Sequence, residues 1–419
     1  MIAAIKNTKA FYNIEIPIDW EIMELKNCSE FITKGATPTT YGFSWVEKGI
    51  LFLRSECVSK RGIELGAAMF ISEEADEMMN RSSLKDEDIL MTITGNIGRV
   101  CLVPKDFPKA NINQHIARIR IKSDVHNRSF IFQYLKQEKI QNEYLKITTG
   151  QAYPQISLEQ VRNTKILLPP LPEQKAIAQV LSTADAAIHT TEKLIAQKEL
   201  RKRWLMQQLL MGRKRLKGFG EEWKEKKMSD LFDRVTRKNI EGNTTVVTIS
   251  AQRGFVRQTD YFNKNIASEI TDNYFLVEKG EFCYNKSYSN GYPWGATKRL
   301  NDFDKAVVTT LYICFGVKDK KKTNPEYFEQ FFGANHLDKG LTKIAHEGGR
   351  AHGLLNVTPS DFFSLKVTVP SYEEQTAIAQ VLQAADKEIA LLKAKADKLR
   401  EQKKGLMQVL LTGRVRLKI

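Results

Sequence analysis

The amino-acid sequence predicts an α+β protein in which two strand-rich modules are joined by two long helices that pair with each other. Three observations support this prediction. The chain has 419 residues, which leaves room for two or three domains of ordinary size. A helical segment occurs twice at a fixed separation. The stretches before each copy consist of short apolar runs broken by turn residues.

The repeat is visible as residues 173–181 (EQKAIAQVL) and residues 374–382 (EQTAIAQVL), where 374 − 173 gives a separation of 201. The same separation joins Pro169 to Pro370 and Gly212 to Gly413 without a gap. Chance does not produce a match of this length, so the chain contains an internal duplication.

The repeat divides the chain into four segments. A first module with the N-terminal segment covers residues 1–168, a long helix covers 169–213, a second module covers 214–369, and a second long helix covers 370–419. Each helical segment begins with prolines and glutamates and closes with a glycine, which are helix start and stop signals. About 40 residues of helix span roughly 60 Å, which is long for a globular protein.

Apolar residues in the second helix alternate in steps of four and three, the spacing of a coiled-coil seam. Only Lys403 interrupts the second copy, whereas Thr191, Lys198 and Lys202 interrupt the first. Matching seams predict that the helices pair, although each helix could instead pack on its own module as an amphipathic helix. The predicted pairing residues are Ile177, Leu181, Ile188, Ile195 and Leu205 in the first copy, and Ile378, Leu382, Ile389, Leu392 and Leu399 in the second.

The modules are predicted to be rich in strands. Apart from the matching segments at their ends, they share little sequence. Apolar runs at residues 50–53, 89–93, 116–121 and 244–249 are typical of strands. The longest uncharged apolar stretch, residues 306–317, is too short for a membrane-spanning helix and is predicted to be one buried strand.

The charge favours a polyanionic partner, because 64 lysines and arginines against 49 acidic residues give a net charge of +15. Nucleic acid and an anionic membrane surface would both attract this charge. The N-terminus lacks the apolar segment of a signal peptide, so we expect a cytoplasmic protein. Five cysteines without a C-x-x-C pair are predicted to be buried thiols in a reducing compartment.

Residues 284–299 (YNKSYSNGYPWGATKR) hold four aromatic residues, the cations Lys286, Lys298 and Arg299, and no acidic residue. Such a segment suits a nucleic-acid surface, although it could equally be a well-packed turn. Basic tails at 213–217 and 414–418 could interact with the helix dipole or with phosphates. The candidate DNA contacts are Thr94, Asn96, Arg99, Gln151 and Tyr153 in the first module, and Lys286, Tyr288, Asn290, Tyr292, Trp294, Lys298 and Arg350 in the second.

The chain resembles the specificity subunit of a type I restriction-modification system. The resemblance covers nearly the whole chain and depends on the LPPLPEQ and VPSYEEQ helix starts, the AIAQVL repeats and the closing Gly-Arg pairs. Residues 88–90, 94–99 and 113–115 in the first module, and 280–288 and 291–295 in the second, match motifs of its target recognition domains.

The resemblance implies that each module binds one half of a split duplex target in the major groove, while the two helices run antiparallel and fix the gap. It also implies double-stranded DNA, two methylation subunits and restriction-translocation subunits as partners, and no membrane. S-adenosylmethionine, which serves methylation of adenine N6, would bind the methylation subunits, so we expect no cofactor on this chain.

Motifs of catalysis are missing from the sequence. There is no G-x-x-x-x-G-K-[ST] phosphate loop. The nearest match to an adenine methyltransferase turn, Asn324-Pro325-Glu326-Tyr327, is instead predicted to start a helix. Six scattered histidines suggest no metal site. We therefore expect no catalytic residue, and a self-contained restriction or methylation enzyme and a coiled-coil protein scaffold remain as alternatives.

Overall fold

The computed structural model describes residues 2–3, 7–11, 14–150, 154–258, 271–345 and 355–417. The chain forms two compact units, of which unit 1 comprises Met1–Glu192 with Lys395–Ile419 and unit 2 comprises Lys193–Ala394. Each unit therefore contains one strand-rich module and one half of each long helix. The predicted division of the chain at residues 168, 213 and 369 stays a prediction.

Along the chain, unit 1 first forms fourteen described strands and six helices. The last of these helices continues into unit 2. The strands are β1 (Ile2–Ala3), β2 (Thr8–Phe11), β3 (Ile14–Pro17), β4 (Glu21–Glu24), β5 (Ser29–Lys34), β6 (Ile50–Leu53), β7 (Val58–Ser59), β8 (Gly62–Ile63), β9 (Met69–Ile71), β10 (Ile89–Thr92), β11 (Val100–Leu102), β12 (Ala110–Ile112), β13 (Ile116–Ile121) and β14 (Lys165–Leu168). The helices are α1 (Leu25–Cys28), α2 (Glu73–Met78), α3 (Arg128–Leu135), α4 (Glu138–Lys146), α5 (Leu158–Arg162) and α6 (Leu171–Leu209). Short 3₁₀ turns occupy Pro38–Tyr41, Ser55–Cys57, Leu65–Ala67 and Asn80–Ser82.

Unit 2 contains the strands β15 (Lys224–Lys227), β16 (Phe232–Val235), β17 (Val247–Ser250), β18 (Gly254–Arg257), β19 (Phe275–Glu278), β20 (Phe282–Asn285), β21 (Ala296–Arg299), β22 (Lys305–Val308), β23 (Ile313–Val317) and β24 (Lys366–Val369). Its helices are α7 (Met228–Leu231), α8 (Pro325–Gly333), α9 (Asp338–Ile344), α10 (Pro359–Ser364) and α11 (Tyr372–Leu410). A last short strand, β25 (Arg416–Leu417), pairs with β1 in unit 1.

The two modules share one sheet topology although their sequences differ. Unit 1 has a four-stranded antiparallel sheet in the order β11-β10-β13-β5, and unit 2 has one in the order β21-β20-β23-β16. If the four strands of each sheet are numbered in chain order, both sheets have the spatial order third, second, fourth and first. Two-stranded ribbons, β4 with β14 and β15 with β24, lead from each module to the long helix that follows it. The duplication therefore includes the modules as well as the helices.

The prediction of one strand over residues 306–317 is wrong, because the run forms two strands, β22 and β23, which belong to different sheets. Thr309 starts a tight turn between them, in which its carbonyl oxygen accepts from the backbone N–H of Tyr312 at 3.2 Å. Because the residues on both sides of this turn are apolar, the hydrophobic pattern of the sequence did not indicate the turn. The helix predicted at Asn324 is confirmed, since the Asn324 side chain caps α8 and Pro325 is its first residue.

Both long helices begin and end in the same way. The Gln174 side-chain amide donates to the Pro169 carbonyl at 2.8 Å, and Gln375 donates to Pro370 at 3.0 Å. Each glutamine oxygen also accepts a backbone N–H from the residue that caps α3 or α8, at 2.9 Å in both cases. After the helices, Gly212 and Gly413 adopt φ angles of 65° and 70°, a conformation that favours glycine and reverses the chain.

The two long helices run antiparallel to each other within each unit. In unit 1, Lys403 of α11 contacts Asp185 of α6 at 2.6 Å. In unit 2, Lys202 of α6 contacts Asp386 of α11 at 2.5 Å, which is the same pair displaced by the repeat. Lysines that interrupt the apolar pattern therefore bind acidic residues of the facing helix. Lys198 does the same with Glu388.

The predicted pairing residues are all buried or half-buried. Ile177, Leu181, Ile378, Leu382 and Ile389 are buried, and Ile188, Ile195, Leu205, Leu392 and Leu399 are half-buried. The first residues of each seam also belong to the module core: Ile177 and Leu181 pack with the core of unit 1, and Ile378 and Leu382 with that of unit 2. Pairing between the helices and packing on the module therefore use the same residues.

Candidate nucleic-acid interface

In unit 1 the candidate residues lie at the tip of the hairpin formed by β10 and β11. The Thr92 hydroxyl donates to the carbonyl of Asn96 and accepts from the backbone N–H of Arg99 at 3.0 Å, which closes the turn. Asn96 is exposed, whereas Thr94 and Arg99 are half-buried. The turn is therefore fixed by its own hydrogen bonds and presents the Asn96 amide to solvent.

A second segment of unit 1, at Pro154 and Gln155, lies beside this tip. Thr94 forms an antiparallel bridge with Gln155. The backbone N–H of Gly95 donates to the Pro154 carbonyl at 2.9 Å. Gln151 and Tyr153 lie outside the described residues.

A third loop of unit 1 adds polar residues that were not among the candidate contacts. The His115 carbonyl accepts from the Ile93 backbone N–H at 2.9 Å, which places the 113–115 turn next to the hairpin. Thr37 donates to the Gln114 side-chain oxygen at 2.8 Å, and the Gln114 nitrogen donates to the His115 ring at 3.2 Å. The polar triplet at residues 113–115, between two apolar strands, is the sequence feature that could have identified this loop.

In unit 2 the corresponding tip connects β20 to β21 through residues 286–295. Tyr288 is 65% exposed, and Asn290 is also exposed. The Lys298 ammonium lies 5.0 Å from the centre of the Tyr292 ring, which is half-buried. Trp294 packs against the core of the unit, and its carbonyl accepts from the Tyr284 hydroxyl at 2.7 Å. The exposed polar groups of this tip are therefore supported by packed aromatic side chains.

Two cations of the 284–299 segment have structural partners. Lys286 is half-buried, donates to the Val357 carbonyl at 3.5 Å, and has its pKa lowered by burial. Arg299 binds Glu326 at 3.0 Å and Glu329 at 3.3 Å, which attaches the hairpin to α8. Arg299, one of the three cations of this segment, is therefore held by two carboxylates of α8. Arg350 lies outside the described residues.

The basic tails have a role that neither the dipole nor the phosphate interpretation anticipated. Arg215 makes two hydrogen bonds to the buried carboxylate of Glu374, at 2.7 and 2.6 Å, and Trp223 donates to the same carboxylate at 3.1 Å. The hydrogen bonding to Glu374 raises the pKa of Arg215. The arginine that follows α6 thus holds the first turn of α11.

The repeat reproduces this clamp in unit 1. Arg416 binds the buried Glu173 at 3.1 and 2.6 Å, and Trp20 donates to Glu173 at 3.3 Å. Arg416 also binds Asp19 at 3.0 and 2.8 Å, and both partners raise its pKa. One difference therefore separates the two clamps, because Arg416 has a second carboxylate partner.

No group of three or more histidine, cysteine or acidic side chains that could hold a metal ion occurs in the described ranges. All five cysteines are free thiols and buried, as predicted. In the described part of the chain, no helix has the length and hydropathy needed to cross a membrane.

Comparison with known proteins identifies one family. The type I restriction modification DNA specificity domain matches the chain twice, over residues 17–199 and 220–401. A Methanocaldococcus jannaschii protein provisionally described as a type I restriction enzyme MjaX specificity subunit is 28% identical, with 96% of this chain and 95% of that protein covered. The type I restriction enzyme MjaVIII specificity subunit of the same organism is 23% identical, with 99% and 97% covered.

Solved structures share the fold. The crystal structure of the type I restriction-modification S subunit from M. genitalium superposes with a TM-score of 0.56 at 14% identity, covering 98% of each chain. A chain from a study of assembly and conformational transition of the type I restriction-modification system gives a TM-score of 0.57 at 15% identity, covering 96% of this chain and 99% of that one.

Proposed function

Because the chain belongs to the type I restriction modification DNA specificity domain family, we propose that it reads a bipartite duplex target, one half with each unit. Family membership makes the chain the DNA-specificity subunit of a type I restriction-modification complex and assigns catalysis to other subunits. A self-contained restriction or methylation enzyme is therefore set aside.

One observation carries the proposal. The two units share the four-stranded sheet, the ribbon before the long helix and the buried Glu–Arg–Trp clamp, yet their hairpin tips differ in sequence and chemistry. A constant frame with variable tips is the arrangement expected when each unit recognises a different DNA sequence.

The tips offer groups that suit base edges and phosphates. Unit 1 exposes the Asn96 amide beside the Gln114–His115 turn, and amides bind adenine and other bases in the major groove. Unit 2 exposes the Tyr288 phenol and the Asn290 amide, with the Lys298 cation nearby to hold a phosphate. The proposed contacts also include Thr94, Arg99, Gln151, Tyr153, Lys286, Tyr292, Trp294 and Arg350.

The proposal includes the other subunits of the complex. We assign two methylation subunits and the restriction-translocation subunits as protein partners, with S-adenosylmethionine on the methylation subunits and no cofactor on this chain. A duplex target in the genome implies a cytoplasmic location.

The test begins with the chain coexpressed with its methylation subunit in a host that lacks other adenine methylation. Mapping N6-methyladenine in the host DNA gives the target motif. A duplex carrying the motif should then bind the purified complex at least about 1,000-fold more tightly than a scrambled duplex at physiological salt. Equal binding of the two duplexes would refute the proposed function.

A further inference from the structure

Unit 1 contains a cavity between α4, the hairpin of β2 and β3, the segment from α5 to β14, and the residues that follow α11. We call it the α4 cavity. Its apolar lining includes Phe11 and Ile14 of the hairpin, Ile140 and Tyr144 of α4, and Leu411. Its volume of about 490 Å³ lies in the range of sites that bind small organic molecules.

Polar side chains in the wall of the α4 cavity are bonded to other groups of the wall. The hydroxyls of Tyr144 and Thr164 share a hydrogen bond of 2.6 Å. The Gln160 amide donates to the Ile147 carbonyl at 3.2 Å, and the Asn163 amide donates to a neighbouring carboxylate at 2.9 Å. Because these groups already have partners, the interior offers a ligand mainly aromatic and aliphatic surface. The interior therefore suits the apolar body of a ligand.

Cations lie at the mouth of the α4 cavity. Lys139, Lys146 and Lys165 line the cavity and are exposed, and so is one acidic residue, Glu143. Among the residues that the structure describes, no carboxylate lies within ion-pairing distance of Lys139 or Lys146. Three ammonium groups against one carboxylate favour an anionic group on the ligand.

The helix α4 supports the hairpin tip of unit 1. The Gln141 side-chain amide donates to the Gly98 carbonyl at 3.0 Å, and a Cβ added at Gly98 would lie only 3.4 Å from the Gln141 side chain. After the helix, Thr149 exchanges backbone hydrogen bonds of 3.1 and 3.0 Å with Gln155, which forms a bridge with Thr94. A ligand that binds beside α4 in the folded protein therefore stabilises the tip as well.

The repeat does not duplicate the whole wall of the α4 cavity. In unit 1 the hairpin of β2 and β3 precedes the ribbon strand β4, and it supplies Phe11 and Ile14. In unit 2 the described residues between α6 and the corresponding ribbon strand, β15, form no strand. The cavity is therefore a property of unit 1 and not of the repeated frame.

We propose that the α4 cavity binds a small organic anion with an apolar body, and that this ligand stabilises the hairpin tip of unit 1. The body packs against the rings of Phe11 and Tyr144, and the anionic group pairs with Lys139 and Lys146. Inorganic phosphate alone would leave the apolar interior unfilled, and a neutral ligand would leave the lysines without a partner. The inference does not depend on the proposed function, because it concerns unit 1 of the free chain.

The test uses 8-anilinonaphthalene-1-sulfonate as the probe, because it has an aromatic body and one sulfonate. Isothermal calorimetry of the full-length chain should show one site with a Kd on the order of 10–100 µM, as expected for a ligand of about 20 non-hydrogen atoms. Ile147→Trp, which places an indole at the mouth, should weaken binding at least about 10-fold. Leu145→Trp is the matched control and should bind as wild type does, since Leu145 is exposed on the same helix but does not line the cavity.

A charge-reversal variant tests the anionic group separately. Lys139→Glu/Lys146→Glu keeps the apolar interior and should weaken binding of the probe at least about 5-fold. Lys60→Glu/Lys105→Glu, at exposed lysines of unit 1 outside the cavity, is its control and should leave binding unchanged. In wild type, saturating probe should also slow amide hydrogen exchange in α4 and in residues 94–99 at least about threefold.

Three results would overturn the binding site: no saturable site in wild type, equal affinity of Ile147→Trp and Leu145→Trp, or equal affinity of the charge-reversal variant and its control. Binding that leaves exchange in residues 94–99 unchanged would overturn the effect on the tip. Displacement of the probe by one equivalent of methylation subunit would also overturn the proposal, in favour of a protein side chain as the occupant.

Discussion

The buried clamp of unit 2 makes a quantitative prediction. Glu374 accepts two hydrogen bonds from Arg215 and one from Trp223, and its side chain is 2% exposed. Glu374→Ala removes all three and leaves a guanidinium without a partner carboxylate. Breaking a buried ion pair costs about 3–5 kcal/mol, but the Arg215 side chain is 27% exposed and regains part of its hydration. We therefore expect the free energy of unfolding to fall by about 2–3 kcal/mol.

The equivalent substitution in unit 1 should cost less. Glu173→Ala leaves Arg416 bound to Asp19, at 3.0 and 2.8 Å, so its charge keeps a partner. We expect a loss of about 1–2 kcal/mol for Glu173→Ala, because a paired charge is less costly than an isolated one. Glu373→Ala, at the exposed neighbour of Glu374, serves as the control and should change stability by less than about 0.5 kcal/mol.

Urea unfolding of the full-length chain, followed by tryptophan fluorescence, measures these differences, since Trp223 and Trp20 report on the two clamps. A double-mutant cycle with Arg215→Ala isolates the coupling between Arg215 and Glu374. A loss below about 1 kcal/mol for Glu374→Ala, or a larger loss for Glu173→Ala, would contradict the proposed role of the clamps.

Three further predictions concern single side chains. Burial and the neighbouring Lys403 lower the pKa of Lys136 to about 8, so charging it opposes folding and stability should rise between about pH 8 and the ordinary pKa of 10.5. Lys136→Met should raise the free energy of unfolding at pH 7 by about 1–3 kcal/mol and remove the increase of stability with pH. Urea titrations at pH 7 and pH 9.5 measure both effects, and a variant no more stable than wild type at pH 7 would contradict this prediction. Gly295 has a φ of 80°, and a Cβ there would lie 2.3 Å from the Asn285 carbonyl, so Gly295→Ala should cost at least about 2 kcal/mol in thermal unfolding. Gly291→Ala, with the same φ but open space, should cost about 1 kcal/mol, and equal costs would argue against the close approach at Gly295. Lys298→Ala should make the slope of log K for DNA binding against log salt concentration shallower by about one, without changing base preference. A changed preference would make Lys298 a base-reading residue.

Much of the architecture was predictable because it is repeated in the sequence. The long helices could be located from their prolines, glutamates and glycines, and these signals act locally along the chain. The shared sheet of the modules could not be predicted, since strands such as β10 and β20 have different residues and a pleated strand requires only that apolar residues face the core. The turn at Thr309 was missed because both of its flanks are apolar.

The candidate site was predicted more completely at the level of segments than of residues. The structure adds Gln155 to the tip of unit 1 through a bridge with Thr94, a pairing that the sequence pattern did not indicate. The partners of Arg299 could not be predicted because its two carboxylates lie 27 and 30 residues away in the sequence. The glutamate partners of Arg215 and Arg416 could not be predicted for the same reason, since they lie 159 and 243 residues away in the sequence.

The central claim is that each unit reads one half of a split DNA target, and selection from a random duplex library tests it most directly. The complex of wild type with its methylation subunit should enrich two short defined sequences separated by a fixed number of undefined base pairs. The variant Tyr288→Ala/Asn290→Ala, at the tip of unit 2, should alter one of the two sequences and leave the other intact. Enrichment of a single continuous sequence, or a change in both halves with this variant, would contradict the claim.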